Sequence, residues 1–140
     1  MTDKEVEIYI SSSCDAATGH GGWAAILRYG VHQRELFGAE SATTNNRLIL
    51  VAAARSLLLM KQPKPIRVFC SSEYLTLGAS VRLEAMRNRG FDSVANGDLW
   101  RNLDAAIMGH SAAWVHIKAD RKNVWLGLAH RLAQGAANKQ

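Results

Sequence analysis

The stretch VEIYISSSCDAATGHGGWAAILRYG, residues 6–30, decides the fold. Its first five residues are β-branched, aromatic or otherwise strand-forming and apolar on both faces, which predicts a central strand. Three serines and a glycine-containing turn follow, and a second apolar run covers residues 21–29. A third run, residues 32–38, continues after the turn in YGVH. Because tight turns join these runs, they predict three antiparallel strands.

The rest of the chain alternates helices with short strands. TTNNRLILVAAARSLLLMKQPKP, residues 43–65, predicts a largely buried helix that Thr43 or Thr44 caps and that ends near Met60. Strands are predicted at residues 66–70 and 112–118. Further helices are predicted at 71–90 (broken at Gly78 and ended by Gly90), 98–109 and 121–136. Right-handed crossovers would place the later strands parallel to the first. Residues 1–140 therefore predict one α/β domain with a five-stranded mixed sheet and helices on both faces.

Composition narrows the class of protein. The chain has 140 residues, of which 48% are hydrophobic, so one folded domain is expected rather than a disordered chain. No apolar run is long enough to span a bilayer, and the charged start MTDKEVEIY has no signal-peptide character, so a cytoplasmic protein without a membrane partner is predicted. In that compartment Cys14 and Cys70 are expected to be reduced thiols.

The positive charge is uneven. The net charge is +5, and residues 112–140 carry five Lys or Arg against one acid, Asp120. A second basic cluster is VRLEAMRNRG, residues 81–90. Basic surfaces attract phosphates by Coulomb force and counterion release, which favours a nucleic-acid partner. A solvated basic surface without a partner remains an alternative on charge alone.

A series of short motifs runs along nearly the whole chain. They are EIY…SC with GHGGWAAILRYG, TTNNR, EY after the fourth strand, RNRG, DLWRNLDAAI, WVHIKA, and Asn123 before the last helix. Taken in order, these motifs resemble bacterial-type ribonuclease H. The resemblance implies a ribonuclease H-like fold and an enzyme that cuts the RNA strand of an RNA·DNA hybrid with two Mg²⁺ ions on four carboxylates. Mg²⁺ is a hard ion that prefers anionic oxygen, which explains that set of ligands.

Carried over residue by residue, the resemblance places the four carboxylate positions on Ser11, Ile49, Ser71 and Gly127. A histidine of the family's last loop falls on Lys118. The resemblance therefore implies that the metal-binding carboxylates are missing, and we expect no catalytic residue, no bound metal and no cofactor.

Two alternatives would still allow catalysis near the vacated carboxylate positions. Asp15, Glu73 and Asp120 lie within a few residues of the vacated positions and are candidates for relocated metal ligands. A serine nucleophile would need a histidine base and an orienting acid, and neither His116 nor His130 has an acid partner that the sequence reveals.

The resemblance also implies a binding surface for nucleic acid. Asn45 and Asn46 match asparagines that contact the minor groove, although helix capping would explain the same residue type. The expected phosphate-binding residues are Arg82, Arg87, Arg89, Lys118, Arg121 and Lys122.

Three functions follow from these expectations. The first is a non-catalytic ribonuclease H-like protein, a pseudo-nuclease that binds RNA·DNA hybrid or duplex. The second is a protein-interaction or scaffolding domain with a partner, or a second copy, bound near Trp125. The third is an active ribonuclease H with relocated acids.

Overall fold

The computed structural model describes residues 5–118 and 122–139, and within these ranges five strands form one mixed sheet. The strands are β1 (Val6–Cys14), β2 (Gly21–Tyr29), β3 (His32–Glu40), β4 (Pro65–Cys70) and β5 (Ser111–His116). Their spatial order is β3-β2-β1-β4-β5. The first three strands pair antiparallel, whereas β4 runs parallel to both β1 and β5. The predicted fold class is therefore confirmed.

Helices cover both faces of the sheet. They are α1 (Asn45–Leu58), α2 (Glu73–Leu77), a π-helical segment (Gly78–Arg82), α3 (Leu83–Arg89), a 3₁₀ turn (Phe91–Ser93), α4 (Gly97–Ile107) and α5 (Val124–Asn138). On one face α1 packs on the sheet and α4 packs on α1, and Leu48, Leu50, Trp100 and Leu103 are buried in the same core cluster. On the opposite face lies α5. None of the helices in the described ranges is long and apolar enough to cross a membrane.

β1 is longer than the sequence predicts, and the difference shapes the site. The predicted strand ends at Ile10, but β1 continues through the three serines because its pairing with β2 persists to Cys14 opposite Gly21. Its parallel pairing with β4 ends earlier, at Ile10 opposite Cys70. From Ser11 onward the two central strands therefore part, and Ser11 faces the gap from within a strand.

The helix α5 packs very closely on β2. Small residues make this possible: Ala129 and Ala133 are buried against Tyr9, Ala24 and Ile26. At Gly22 of β2, an added Cβ would lie 2.1 Å from the Ala133 carbonyl oxygen. The backbone of α5 therefore rests directly on β2, and this contact fixes where the first half of α5 stands relative to β1.

A polar network joins α1, α2 and α4. Arg47 donates to Asn96 Oδ1 at 3.1 Å and to Asp98 Oδ2 at 2.9 Å. The Tyr74 hydroxyl accepts from Asn96 Nδ2 at 3.0 Å and from the Trp100 indole at 2.9 Å. The hydrogen bond with Asp98 raises the pKa of the Arg47 guanidinium, and the same bond holds the pKa of the Asp98 carboxyl below its ordinary value.

Candidate functional site

A cleft of about 540 Å³ opens where β1 and β4 part beside the first half of α5. We call it the central cleft. Its walls combine two serines, basic side chains and the start of α5. The lining residues are Ser11, Ser71, Lys118, Lys122, Asn123, Val124, Leu126, Gly127, His130 and Arg131.

A second cleft, of about 140 Å³, shares Ser11, Ser71 and His130 with the first. We call it the side cleft. It extends toward the start of α1, and its remaining lining residues are Ser12, Asn45, Asn46, Ile49 and Ser72.

The positions that the resemblance assigns to carboxylates come together here. Ser11, Ser71 and Gly127 line the central cleft, and Ile49 joins Ser11 and Ser71 at the side cleft. The four residues come from β1, α1, the end of β4 and α5, so the fold brings together residues that lie far apart in the sequence. Ile49 is 4% exposed and belongs to the core.

Two serines of β1 hold side chains from other elements. The Ser11 hydroxyl lies 3.0 Å from His130 Nδ1, and the Ser12 hydroxyl donates to Asn45 Oδ1 at 3.0 Å. Within the described residues, no hydrogen bond or ion pair joins the His130 ring to a carboxylate. Ser11 and His130 therefore form a pair without the orienting acid of a nucleophilic triad. His116, the other candidate base, lines neither cleft.

The central cleft is basic. Lys118, Lys122 and Arg131 line it, and none of the three forms an ion pair with a described carboxylate. No Asp or Glu is among the described residues that line either cleft. Hydroxyls, a hydrocarbon side chain, a glycine and ammonium groups do not fit a pair of Mg²⁺ ions, which need several anionic oxygens close together. In residues 5–118 and 122–139, no group of three or more His, Cys, Asp or Glu is placed to hold a metal ion.

Two of the candidate replacement acids, Asp15 and Glu73, are described, and both lie outside the central and side clefts. Asp15 accepts from the Ala17 backbone N–H at 2.9 Å and lines a separate cleft with Thr18 and His20. Glu73 is the exposed first residue of α2 and lines neither the central nor the side cleft. Asp120 lies outside the described residues, as does the predicted phosphate-binding residue Arg121.

The predicted nucleic-acid-binding residues fall into two groups. Asn45, Asn46, Lys118 and Lys122 line the two clefts. The other group, on the π-helical segment and α3, lines neither of them and consists of Arg82, Arg87 and Arg89.

Arg87 is engaged within the protein. Its guanidinium donates to Asp104 of α4 at 2.6 and 3.0 Å, and this bond raises the pKa of Arg87. Arg87 is therefore paired with Asp104, and its contact with phosphate stays a prediction. Helix capping does not explain Asn45, because the hydroxyl that caps α1 belongs to Thr44, which accepts from the Arg47 N–H at 3.3 Å.

Two residues that line the central cleft, His130 and Arg131, were not predicted as binding residues from the sequence. The signal was present, because residues three and four positions after Gly127 share its face of a helix.

The structure describes the surroundings of Trp125, near which a protein contact was predicted. Trp125 is partly buried, and the Arg28 guanidinium covers its ring at 4.1 Å. The exposed apolar residue in this turn is Val124, which is 74% exposed. A single valine on the rim of a basic cleft does not make an apolar docking patch.

The sequence is similar to proteins named ribonuclease H. The RNase H family profile matches residues 3–137. Ribonuclease H of Aromatoleum aromaticum is 40% identical over 139 residues, which cover 96% of this chain and 90% of the relative. Ribonuclease HI of Pseudomonas aeruginosa is 40% identical over 124 residues, which cover 84% of each chain.

Comparison of structures agrees with the fold. LC9-RNase H1, described as a type 1 RNase H with the type 2 active-site motif, superposes with a TM-score of 0.88 at 24% identity and covers 98% of this chain and 74% of its own. A foamy viral protease-reverse transcriptase in complex with RNA/DNA hybrid superposes with a TM-score of 0.80 at 13% identity, over 100% of this chain and 21% of its own. With a family profile over nearly the whole chain and relatives at 40% identity, this chain belongs to the RNase H family.

Proposed function

We propose that this domain binds RNA·DNA hybrid, or a duplex of similar shape, through the central and side clefts and does not cut it. The observation that carries the proposal is the charge of the central cleft, where Lys118, Lys122 and Arg131 stand among the positions assigned to carboxylates. An ammonium or guanidinium group attracts the phosphate backbone but repels Mg²⁺. The same residues therefore favour binding and oppose two-metal hydrolysis.

The side cleft supplies the contacts that a hybrid would add to phosphate binding. Asn45 and Asn46 line it beside Ser11 and Ser12, so amide and hydroxyl groups are grouped at one edge of the basic cleft. The 2′-hydroxyls of an A-form minor groove both donate and accept hydrogen bonds, and groups of this kind can recognise them. Ser12 fixes the Asn45 side chain, which lowers the entropy lost on binding.

The comparisons favour a second candidate, hydrolysis of hybrid RNA by a ribonuclease H with relocated acids. Relatives at 40% identity are named ribonuclease H. In this chain such an activity would need Asp15, Glu73 or Asp120 to bind a metal ion. Of these, Asp15 and Glu73 line neither cleft, which is why we place binding first.

Binding and cutting are measured together on one substrate. Wild-type protein is mixed with a hybrid whose RNA strand is labelled, in EDTA, Mg²⁺ or Mn²⁺, and each sample is divided between a native and a denaturing gel. We expect a mobility shift at low salt in EDTA and no shortened RNA in any of the three solutions. Metal-dependent cleavage would favour the second candidate, and the absence of any shift at low salt would refute the proposal.

Rebuilding the four carboxylates tests the assignment of positions. The variant that combines Ser11→Asp, Ile49→Glu, Ser71→Asp and Gly127→Asp should gain saturable Mg²⁺ binding by isothermal titration calorimetry, because it places four anionic oxygen donors around one gap. The control is Gly135→Asp alone, also on α5 but outside the clefts. A folded variant without Mg²⁺ binding would show that at least one position is wrongly assigned.

A further inference from the structure

We propose that the central cleft binds a phosphate group directly, with its own cations and hydroxyls and without a divalent metal. The inference rests on the proposed function, because it identifies which part of a nucleic acid this cleft would hold.

Three cations of the central cleft form no ion pair with a carboxylate of the described residues. Lys118 and Lys122 precede α5, Arg131 lies within it, and all three line one space of about 540 Å³. Long cationic side chains on a protein surface commonly meet a carboxylate, as Arg87 meets Asp104 here. None of the three cleft cations has such a partner among the described residues. An anion entering the cleft would therefore not have to displace a described carboxylate.

A cation lies beside one of the assigned carboxylate positions. Arg131 Nη1 lies 3.6 Å from the point where a Cβ at residue 127 would stand. The guanidinium is planar and presents paired N–H donors that match the oxygens of a phosphate. Gly127 leaves open the space beside this group, and a short side chain would fit there without a clash.

The contact between Ser11 and His130 leaves one proton of the pair to donate. A neutral His130 ring carries one N–H, and the Ser11 hydroxyl carries one O–H. The contact of 3.0 Å between Ser11 Oγ and His130 Nδ1 uses one of these two protons, whichever tautomer is present. One donor of the pair therefore remains for a ligand, and the exposed Ser71 adds a hydroxyl on the same wall.

The size of the cleft admits more than a bare anion. A volume near 540 Å³ lies within the range of sites that hold small organic ligands. A phosphate with its neighbouring sugar fits this space, whether it belongs to a nucleic-acid backbone or to a free phosphate compound. The experiment is designed to separate these two sources.

The test titrates inorganic phosphate into ¹⁵N-labelled protein in EDTA, at constant ionic strength, and follows amide resonances by NMR. We compare wild type with Gly127→Asp, which places an acid beside Arg131, and with Gly135→Asp, which makes the same change of charge outside the cleft. Loss of charge-assisted bonds to phosphate should weaken binding at least about tenfold in Gly127→Asp. Gly135→Asp should bind like wild type. Lys122→Gln is the second cleft variant, in case Gly127→Asp fails to fold.

A second arm measures hybrid binding for the same proteins. A saturable phosphate shift at Ser11, Ser71, Gly127 and His130, together with weaker hybrid binding in the cleft variants, supports the inference for a backbone phosphate. Phosphate binding with unchanged hybrid affinity in the cleft variants supports a free phosphate compound and overturns the backbone source. No phosphate shift at the cleft overturns the inference even if hybrid binds elsewhere. Phosphate binding by a protein that shifts no hybrid at all refutes the proposed function and leaves the anion site standing.

Discussion

Substituting Gly22 by alanine should displace α5 and weaken both the fold and the central cleft. A Cβ at this position would lie 2.1 Å from the Ala133 oxygen and 2.6 Å from the Ala137 nitrogen. Both are backbone atoms of α5, so no side-chain rotation relieves the contact, and the helix must move away from β2.

The size of the effect follows from this geometry. Overpacking in a core costs about 1–3 kcal/mol, and a clash with backbone belongs at the upper end, about 3 kcal/mol. A chain of 140 residues unfolds with an entropy of roughly 0.3 kcal/mol per kelvin near its midpoint. The melting temperature of Gly22→Ala should therefore fall by about 10 °C. Because α5 carries Gly127, His130 and Arg131, phosphate affinity should fall as well.

Thermal unfolding followed by far-UV circular dichroism measures this change. Gly135→Ala is the matched control, because it adds the same methyl group to a position of α5 with nothing within 4 Å. It should raise the free energy of unfolding by about 0.5–1 kcal/mol, as alanine does in a helix interior. A Gly22→Ala protein as stable as wild type would refute the close contact between α5 and β2, and with it the placement of half of the cleft.

Three further predictions follow from the described contacts. The double variant Lys122→Gln with Arg131→Gln should bind hybrid with a weaker salt dependence. The slope of log binding constant against log salt concentration should become shallower by about 1.8, because each lost phosphate contact removes about 0.9. An unchanged slope in salt titrations would exclude these contacts. Arg47 lowers the pKa of Asp98 below its ordinary 3.8, so the pair should stabilise the fold above that pH and lose its effect as the pH falls through the folded pKa. The difference in unfolding free energy between wild type and Asp98→Asn, measured in urea, should accordingly shrink in acid, and a constant difference would contradict the pairing. Burial raises the pKa of the Cys70 thiol to about 11, so iodoacetamide at neutral pH should label only one of the two cysteines until the protein unfolds. Rapid labelling of both in the folded protein would contradict the burial.

The sequence predicts the layers of this fold well because its local signals agree with one another. The run of apolar residues from Leu48 to Ala54 lies in α1 and is buried except for the half-buried Val51, and Gly90 ends α3 with a φ of +89°. The extent of β1 could not be predicted, because Ser11 and its neighbours have little preference for a strand. They are held there by pairing with β2, a property of two segments rather than one.

At the candidate site, the sequence suggested which positions to consider but not which side chains contact each other. The resemblance assigned four residues to the family's carboxylate positions. Of these, Ser11, Ser71 and Gly127 line the central cleft, and Ile49 lines the side cleft. The contact of Ser11 with His130 joins residues 119 positions apart, and no local pattern announces it.

The sequence also did not reveal the ion pairs. Arg87 pairs with Asp104 across two helices, although its basic cluster had suggested a free phosphate contact. The resemblance assigns candidate positions for a family site, whereas the partner of each charge depends on packing that only the structure supplies.

The central claim is that this cleft attracts anions where a hydrolase of this family would be expected to hold divalent cations. It is tested most directly by the melting temperature of the wild-type protein, measured against inorganic phosphate and, separately, against Mg²⁺ at matched ionic strength. A ligand that binds only the folded state raises the melting temperature, and above its Kd the rise continues with the logarithm of the ligand concentration. We predict a rise with phosphate and no change with Mg²⁺. A rise with Mg²⁺ and none with phosphate would contradict the account.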